Sequence, residues 1–206
     1  KNDILCTLSL ADPEVVITGF DRKNLYYSVE NIRRKDEFIM EYIEKHPTES
    51  GIIYCATRKN VDNLFELLFK RGVPVTRYHA GLTNETRKKN QDDFIYDRTP
   101  VIIATNAFGM GIDKSNVRYV IHYNMPQSME NYYQEAGRAG RDGNKAYAVI
   151  LYAKSDKVTL HKRIPDTFPE KDYIKQVYEH LQYYYQMAMG DGQGCVREFN
   201  IEDFCR

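Results

Sequence analysis

Gln134, Arg138 and Arg141 stand at intervals of four and three in the run Gln134-Glu135-Ala136-Gly137-Arg138-Ala139-Gly140-Arg141-Asp142-Gly143. Those intervals place side chains on one face of a helix, so a helix continued through the run would align all three. Two glycines in a helix interior cost about 1 kcal/mol each relative to alanine, so the run also suits a helix end that another group must approach closely. Paired arginines in such a place can act as arginine fingers, which stabilise charge on a transferring γ-phosphoryl group and are worth about 10³–10⁵ in rate. The plain alternative is an arginine pair bridging on the surface to Glu135 and Asp142, and the particularity of the whole string argues against it.

A second set of candidates follows from where ligands gather in open α/β sheets, beyond the carboxyl ends of the strands. The places to inspect come after Cys55, Tyr78, Ala104 and Tyr123. The first three hold Ala56-Thr57-Arg58, His79-Ala80-Gly81, and the long run Thr105-Asn106-Ala107-Phe108-Gly109-Met110-Gly111-Ile112-Asp113. Hydroxyls, a guanidinium, an imidazole and glycine-freed amides suit phosphate oxygens. Thr57-Arg58 suits a plain helix cap equally well, and the residue types leave the two readings open.

The elements that must position these residues follow from periodicity. Leu25 to Val29 alternates as a strand, and Lys35 to Glu44 carries Phe38, Ile39, Tyr42 and Ile43 at helical spacing before His46-Pro47. Gly51 to Cys55 reads as a strand. Val61, Leu64, Phe65 and Leu68 mark a helix ending at Gly72. Val75 to Tyr78 is a strand, Thr83 to Tyr96 a polar helix capped by Thr83, and Val101 to Ala104 a strand apolar on both faces. Val117 to Tyr123 and Ala146 to Tyr152 complete the strands, with a helix from Ser128 to about Arg138 between them. Such alternation predicts an α/β fold with a mainly parallel sheet and right-handed crossovers over residues 1–153.

Residues 154–206 read as a helical appendage leading to a further module. Pro169 opens a helix there, with Ile174, Val177, Tyr178, Leu181, Tyr185 and Ala188 as its apolar stripe. Tyr183-Tyr184-Tyr185 invites a base-stacking reading, but helical spacing assigns two of the three to core packing. Gly190 to Gly194 breaks the chain as a turn.

Composition narrows the class of partner. The 206 residues carry 29 Lys and Arg against 29 Asp and Glu. Bulk attraction for nucleic acid is therefore absent, and any such contact depends on local placement of donors. Arg33-Arg34-Lys35 and Arg87-Lys88-Lys89 read as solvated helix edges. Four cysteines without a CxxC pair, no signal peptide and no long apolar run imply a reduced, cytoplasmic protein with no membrane span. The start without Met and the abrupt end suggest a piece of a longer chain.

Several runs together resemble one family. Tyr132 to Asp142 is similar to motif VI of RecQ-type superfamily 2 DNA helicases, and Val101 to Lys114 to motif V. Ile53-Tyr54-Cys55-Ala56-Thr57-Arg58 resembles motif IV, Tyr78-His79-Ala80-Gly81-Leu82 the block after it, and Phe20 to Leu25 the lead-in, with Lys23 where proline is common. The resemblance runs in order from about residue 13 to 152. It implies a RecA-like three-layer lobe, the second of two, in an enzyme that unwinds DNA with 3′-to-5′ polarity by ATP-driven opening and closing. By the same resemblance Arg138 and Arg141 face ATP bound mainly on the first lobe, and Gln134 couples nucleotide to the moving interface. Asp113 is placed near the ribose or the motif VI arginines, and Gly111 among the nucleotide-binding residues. Thr57, Arg58, His79, Thr105 and Asn106 belong to the grip on single-stranded or forked DNA. A bacterial nucleoid location is implied.

The chain has no GxxxxGK(S/T) and no DExH box, since Asp36-Glu37-Phe38-Ile39 lacks the histidine. ATP and Mg²⁺ chemistry thus requires the other lobe, and this segment alone is expected to be inactive. RecQ proteins commonly continue into a four-cysteine zinc module. With Cys195 and Cys205 alone in the tail, zinc is not expected here. Two other readings compete: an RNA helicase lobe, against which Gln134-Glu135 stands, and a non-catalytic binding module, which would have no use for finger arginines. A Rossmann oxidoreductase is excluded by the lack of GxGxxG after the first strand.

Overall fold

A computed structural model describes residues 7–9, 21–109, 112–188 and 190–205. The chain divides into two compact units, one holding Arg34–Leu151 with the chain up to Glu30, the other Asn31–Arg33 with Tyr152–Arg206.

The first unit is built on a six-stranded sheet. In chain order its strands are β1 (Leu25–Asn31), β2 (Ser50–Tyr54), β3 (Val75–Tyr78), β4 (Val101–Ala104), β5 (Val117–His122) and β6 (Ala146–Tyr152). They lie side by side as β1-β6-β5-β2-β4-β3. The pairs β2–β4, β2–β5, β3–β4 and β5–β6 are all parallel. Ile52 stands beside Ile102 on one side and Val120 on the other, and Ile53 beside Ile103 and Ile121. All six side chains are buried, so both faces of the central strands are covered. This explains why β4 is a continuous apolar run and not an alternating one.

The connecting helices are α1 (Lys35–Lys45), α2 (Arg58–Lys70), α3 (Asn84–Ile95) and α4 (Met129–Ala136). Hydroxyl caps set three of their starts: Thr57 accepts from the Asn60 amide, Thr83 from Thr86 and Ser128 from Asn131. Each satisfies an amide that has no partner within its helix. The α2 stripe packs as its spacing requires, with Val61, Leu64 and Leu68 buried. In the cluster Arg33-Arg34-Lys35 the two arginines are exposed as expected and the lysine is not. Lys35 is buried and its Nζ donates to the Tyr123 carbonyl at 2.6 Å, tying the start of α1 to the end of β5.

The second unit is helical: α5 (Lys154–Thr167), α6 (Lys171–Tyr184) and α7 (Ile201–Phe204). Helix α6 starts two residues beyond Pro169, with Glu170 at its cap. Its apolar stripe is less covered than periodicity implies, since Ile174 and Tyr178 are each 53% exposed. Tyr183 points outward at 88% exposure, whereas Tyr184 packs against Tyr185, Phe199 and Phe204. No helix among the described residues is long and apolar enough to cross a membrane.

Candidate functional site

The arginine run departs from one continuous helix. Helix α4 ends at Ala136, and the Gly137 amide is the last to reach back four residues, to the Tyr133 carbonyl at 2.9 Å. Arg138 and Ala139 then bond three residues back, to Glu135 and Ala136 at 3.3 and 3.1 Å. Gln134 therefore sits exposed on the helix while both arginines lie on the tightened loop beyond it. A distant pair of side chains accounts for this. Arg22 donates to the carbonyls of Gly137, Ala139 and Gly140 at 3.4, 3.0 and 2.7 Å, and Asn24 Nδ2 donates to Gly140 at 2.7 Å. These carbonyls belong to the arginine-bearing loop and are bonded to the lead-in instead of to a further helical turn.

From this loop both arginines reach the segment after β4. Arg138 Nη1 donates to the Gly109 carbonyl. Its Nε is buried without a hydrogen-bond partner among the described residues. Gly109 makes the approach feasible: its φ is +123°, and a Cβ there would lie 2.2 Å from Arg138 Cζ. Arg141 Nη1 donates to the Ile112 carbonyl at 3.1 Å and to Asp113 Oδ1 at 3.2 Å. Its side chain is 36% exposed and that of Asp113 89%, so the ion pair adds little stability and its interest is positional. Gly111 and Met110 lie outside the described residues.

The post-β4 segment is in turn anchored to the sheet. Phe108 is buried, its amide donates to the Thr105 carbonyl at 3.0 Å, and its own carbonyl accepts from Tyr54 OH at 3.1 Å. Burial pushes the Tyr54 hydroxyl's pKa up, with Arg138 opposing, so it stays a donor. The Thr105 amide donates to the Tyr78 carbonyl at 3.2 Å, which joins the ends of β3 and β4.

The remaining candidates fall into two groups. Thr57 caps α2 as an acceptor and stays exposed, and Arg58 beside it is exposed, its Cδ close to Gly81. His79 is buried, with Nδ1 accepting from the Gly81 amide at 3.1 Å and Nε2 donating to Asp62 at 3.0 Å. Both nitrogens are engaged inside the fold, so His79 shapes the loop after β3 and offers it rigidity. Thr105 is also buried, while Asn106 is exposed.

Three features escaped the sequence reading. Asn124 Oδ1 accepts from the Ala56 amide at 3.0 Å and Asn60 Nδ2 at 3.1 Å, so the end of β5 braces the start of α2. Its signal is its place just after the carboxyl end of β5. Buried His122 pairs at 2.8 Å with Glu135 of α4, which is only partly buried. With Asn106, Asn124 and Gln127 they line a small cleft at the sheet's carboxyl edge. The third is the Arg22–Asn24 clamp, which falls within the lead-in run Phe20 to Leu25 but whose partners more than a hundred residues away give no local signal.

This geometry places the arginine loop against the post-β4 loop. Residues 34–143 match the family described as helicase conserved C-terminal domain, which is more than half the chain. The chain belongs to that family. The helicase domain is 47% identical over 155 residues to the ATP-dependent DNA helicase RecQ of Bacillus subtilis, covering 75% of this chain and 26% of that protein. It is 41% identical over 192 residues to the RecQ-like DNA helicase BLM of Xenopus laevis, covering 91% of this chain and 14% of that one. The RecQ resemblance thus holds, and the chain spans about a quarter of the length of the bacterial relative. Among solved structures, Saccharomyces cerevisiae Dbp5 bound to RNA and ADP BeF3 superposes with a TM-score of 0.57 at 28% identity, covering 71% of this chain and 39% of that one. The fold is accordingly that of a RecA-like helicase lobe.

Proposed function

We propose that this helicase domain is the second motor lobe of an ATP-dependent DNA helicase with 3′-to-5′ polarity, and that Arg138 and Arg141 are its arginine fingers. The observation that carries the reading is that both arginines hydrogen-bond to main-chain carbonyls of the post-β4 loop. Any shift of one loop is thereby felt by the other, which is what coupling nucleotide state to strand grip demands.

Arg141, part-exposed and aimed by Asp113, is the donor that supports a contact to the outer end of a triphosphate. Arg138 stands beside it with Nη1 on the Gly109 carbonyl. ATP with Mg²⁺, when bound, supplies the transferable phosphoryl group; the first lobe holds the metal and most of the nucleotide. Arg138 and Arg141 add positive charge where negative charge builds up. Gln134, exposed on α4, reports on closure of the lobes. On the strand side Arg58 and Asn106 offer exposed donors to the DNA backbone, and Thr57, His79 and Thr105 fix the loops that present them. The names of the RecQ relatives and the Gln134-Glu135 wording favour DNA over RNA.

The test is single-stranded-DNA-stimulated ATP hydrolysis by the full-length protein carrying this segment, wild type against Arg141→Ala. Turnover should fall by about 10³-fold or more, with nucleotide binding kept. Turnover that survives the change would leave a binding lobe without a finger. Replacing the DNA by RNA of the same sequence should remove the stimulation.

A further inference from the structure

The short segment Arg22 to Asn24 lies more than a hundred residues from the arginine loop in sequence, yet makes four hydrogen bonds to its carbonyls. We propose that Arg22, assisted by Asn24, is a positioning residue for phosphoryl transfer, holding the backbone from which Arg138 and Arg141 project. The inference rests on the finger reading of those two arginines.

The geometry is that of a clamp with two jaws. On one side the Arg22 guanidinium meets the three carbonyls of Gly137, Ala139 and Gly140. On the other, the side chains of Arg138 and Arg141 run to the carbonyls of Gly109 and Ile112. The loop is therefore fixed through its backbone from the lead-in and through its side chains from the post-β4 loop. The clamp is itself preorganised. The Leu25 amide closes a turn onto the Arg22 carbonyl at 3.0 Å, and Arg22 Nε donates to Asn24 Oδ1 at 3.4 Å. Asn24 also donates to the Asn144 carbonyl at 2.8 Å and accepts from the Ala146 amide at 2.9 Å, which pins it to the start of β6.

Residue type matters here. The carboxyl end of α4 concentrates partial negative charge, which favours a cation. Three carbonyls spread along a loop require the flat, forked donor array of arginine; a lysine ammonium keeps the charge but not the fork. Small misplacement of charge-stabilising groups lowers the chemical step while leaving ground-state nucleotide binding alone.

The experiment measures kcat and KM for ATP in the full-length protein with saturating single-stranded DNA. It compares wild type, Arg22→Lys, Asn24→Ala, Arg141→Ala and the double variant Arg22→Lys/Arg141→Ala. Arg22→Lys should lower kcat by about 10- to 100-fold, with KM within about 2-fold of wild type. The double variant should lose well short of the product of the two single losses, because Arg22 acts partly through Arg141. If Arg22→Lys does not fold, Asn24→Ala decides, with a smaller kcat loss and the same KM. Unchanged kcat, losses that multiply, or a KM rise matching the kcat fall would overturn the proposal. Arg141→Ala retaining full turnover would instead sink the finger reading itself.

Discussion

At Gly109 a single hydrogen atom in place of a methyl group decides whether Arg138 can reach its carbonyl. The position combines a positive φ with a backbone that lies under the guanidinium. Gly109→Ala should cost about 1–3 kcal/mol from backbone strain alone, and should also displace Arg138. Gly143 is the control, because its φ is +82° but nothing lies within 4 Å of a Cβ built there. Gly143→Ala should show the strain in urea unfolding and leave DNA-stimulated ATP turnover per folded molecule near wild type. Equal turnover in the two variants would show that the approach of Arg138 to Gly109 is without consequence. At this scale the sequence was informative about the arginines themselves and about Asp113, whose types and spacing are unusual. Arg22 falls in the lead-in run that resembles the family, but nothing in the sequence tells its role until the fold brings Gly140 beside it.

Helix α4 shows what an element contributes apart from its residues. Its start is local: the Ser128 hydroxyl caps the Asn131 amide at 3.2 Å. Its end is imposed from a distance by Arg22 and Asn24. The two ends should therefore separate in experiment. Ser128→Ala should cost about 0.5–2 kcal/mol of stability in chemical denaturation, with kcat unchanged, because the arginine loop is held from its other end. A parallel loss of kcat would mean that the loop depends on the helix start. The same contrast explains which elements were legible. Strands β3, β4 and β6 have the bounds that their residue patterns predict, and in β4 every residue is buried, so the apolar run marks the whole strand. Periodicity carries the arginine helix on to about Arg138, because it registers i, i+4 spacing and not a carbonyl bonded elsewhere. Helix α6 shows the same blindness in reverse: an apolar stripe states that a face is suited to packing, and leaves Ile174 and Tyr178 half-exposed all the same.

For the whole molecule the cysteines give a simple probe of compactness. Cys55 is buried at the end of β2, and burial pushes its thiol pKa well up, so thiolate is scarce. Cys195 and Cys205 are exposed. Iodoacetamide at mildly alkaline pH should modify those two in the native protein and reach Cys55 only after denaturant is added. Early labelling of Cys55 would contradict a closed first unit. Sheet order has another consequence, in time instead of space. The first strand lies at one edge and pairs with the last, and Asn24 finds Asn144 at a separation of 120 residues. At roughly 5–20 residues per second on the ribosome, β1 must wait on the order of 6–24 seconds for the strand that completes it. Until then Arg22 has emerged with nothing to hold, and the arginine loop cannot be set in place. The last stretch of this sheet to be synthesised therefore gives the first its purpose, and a chain halted before β6 would leave an open edge ready to pair with the wrong partner.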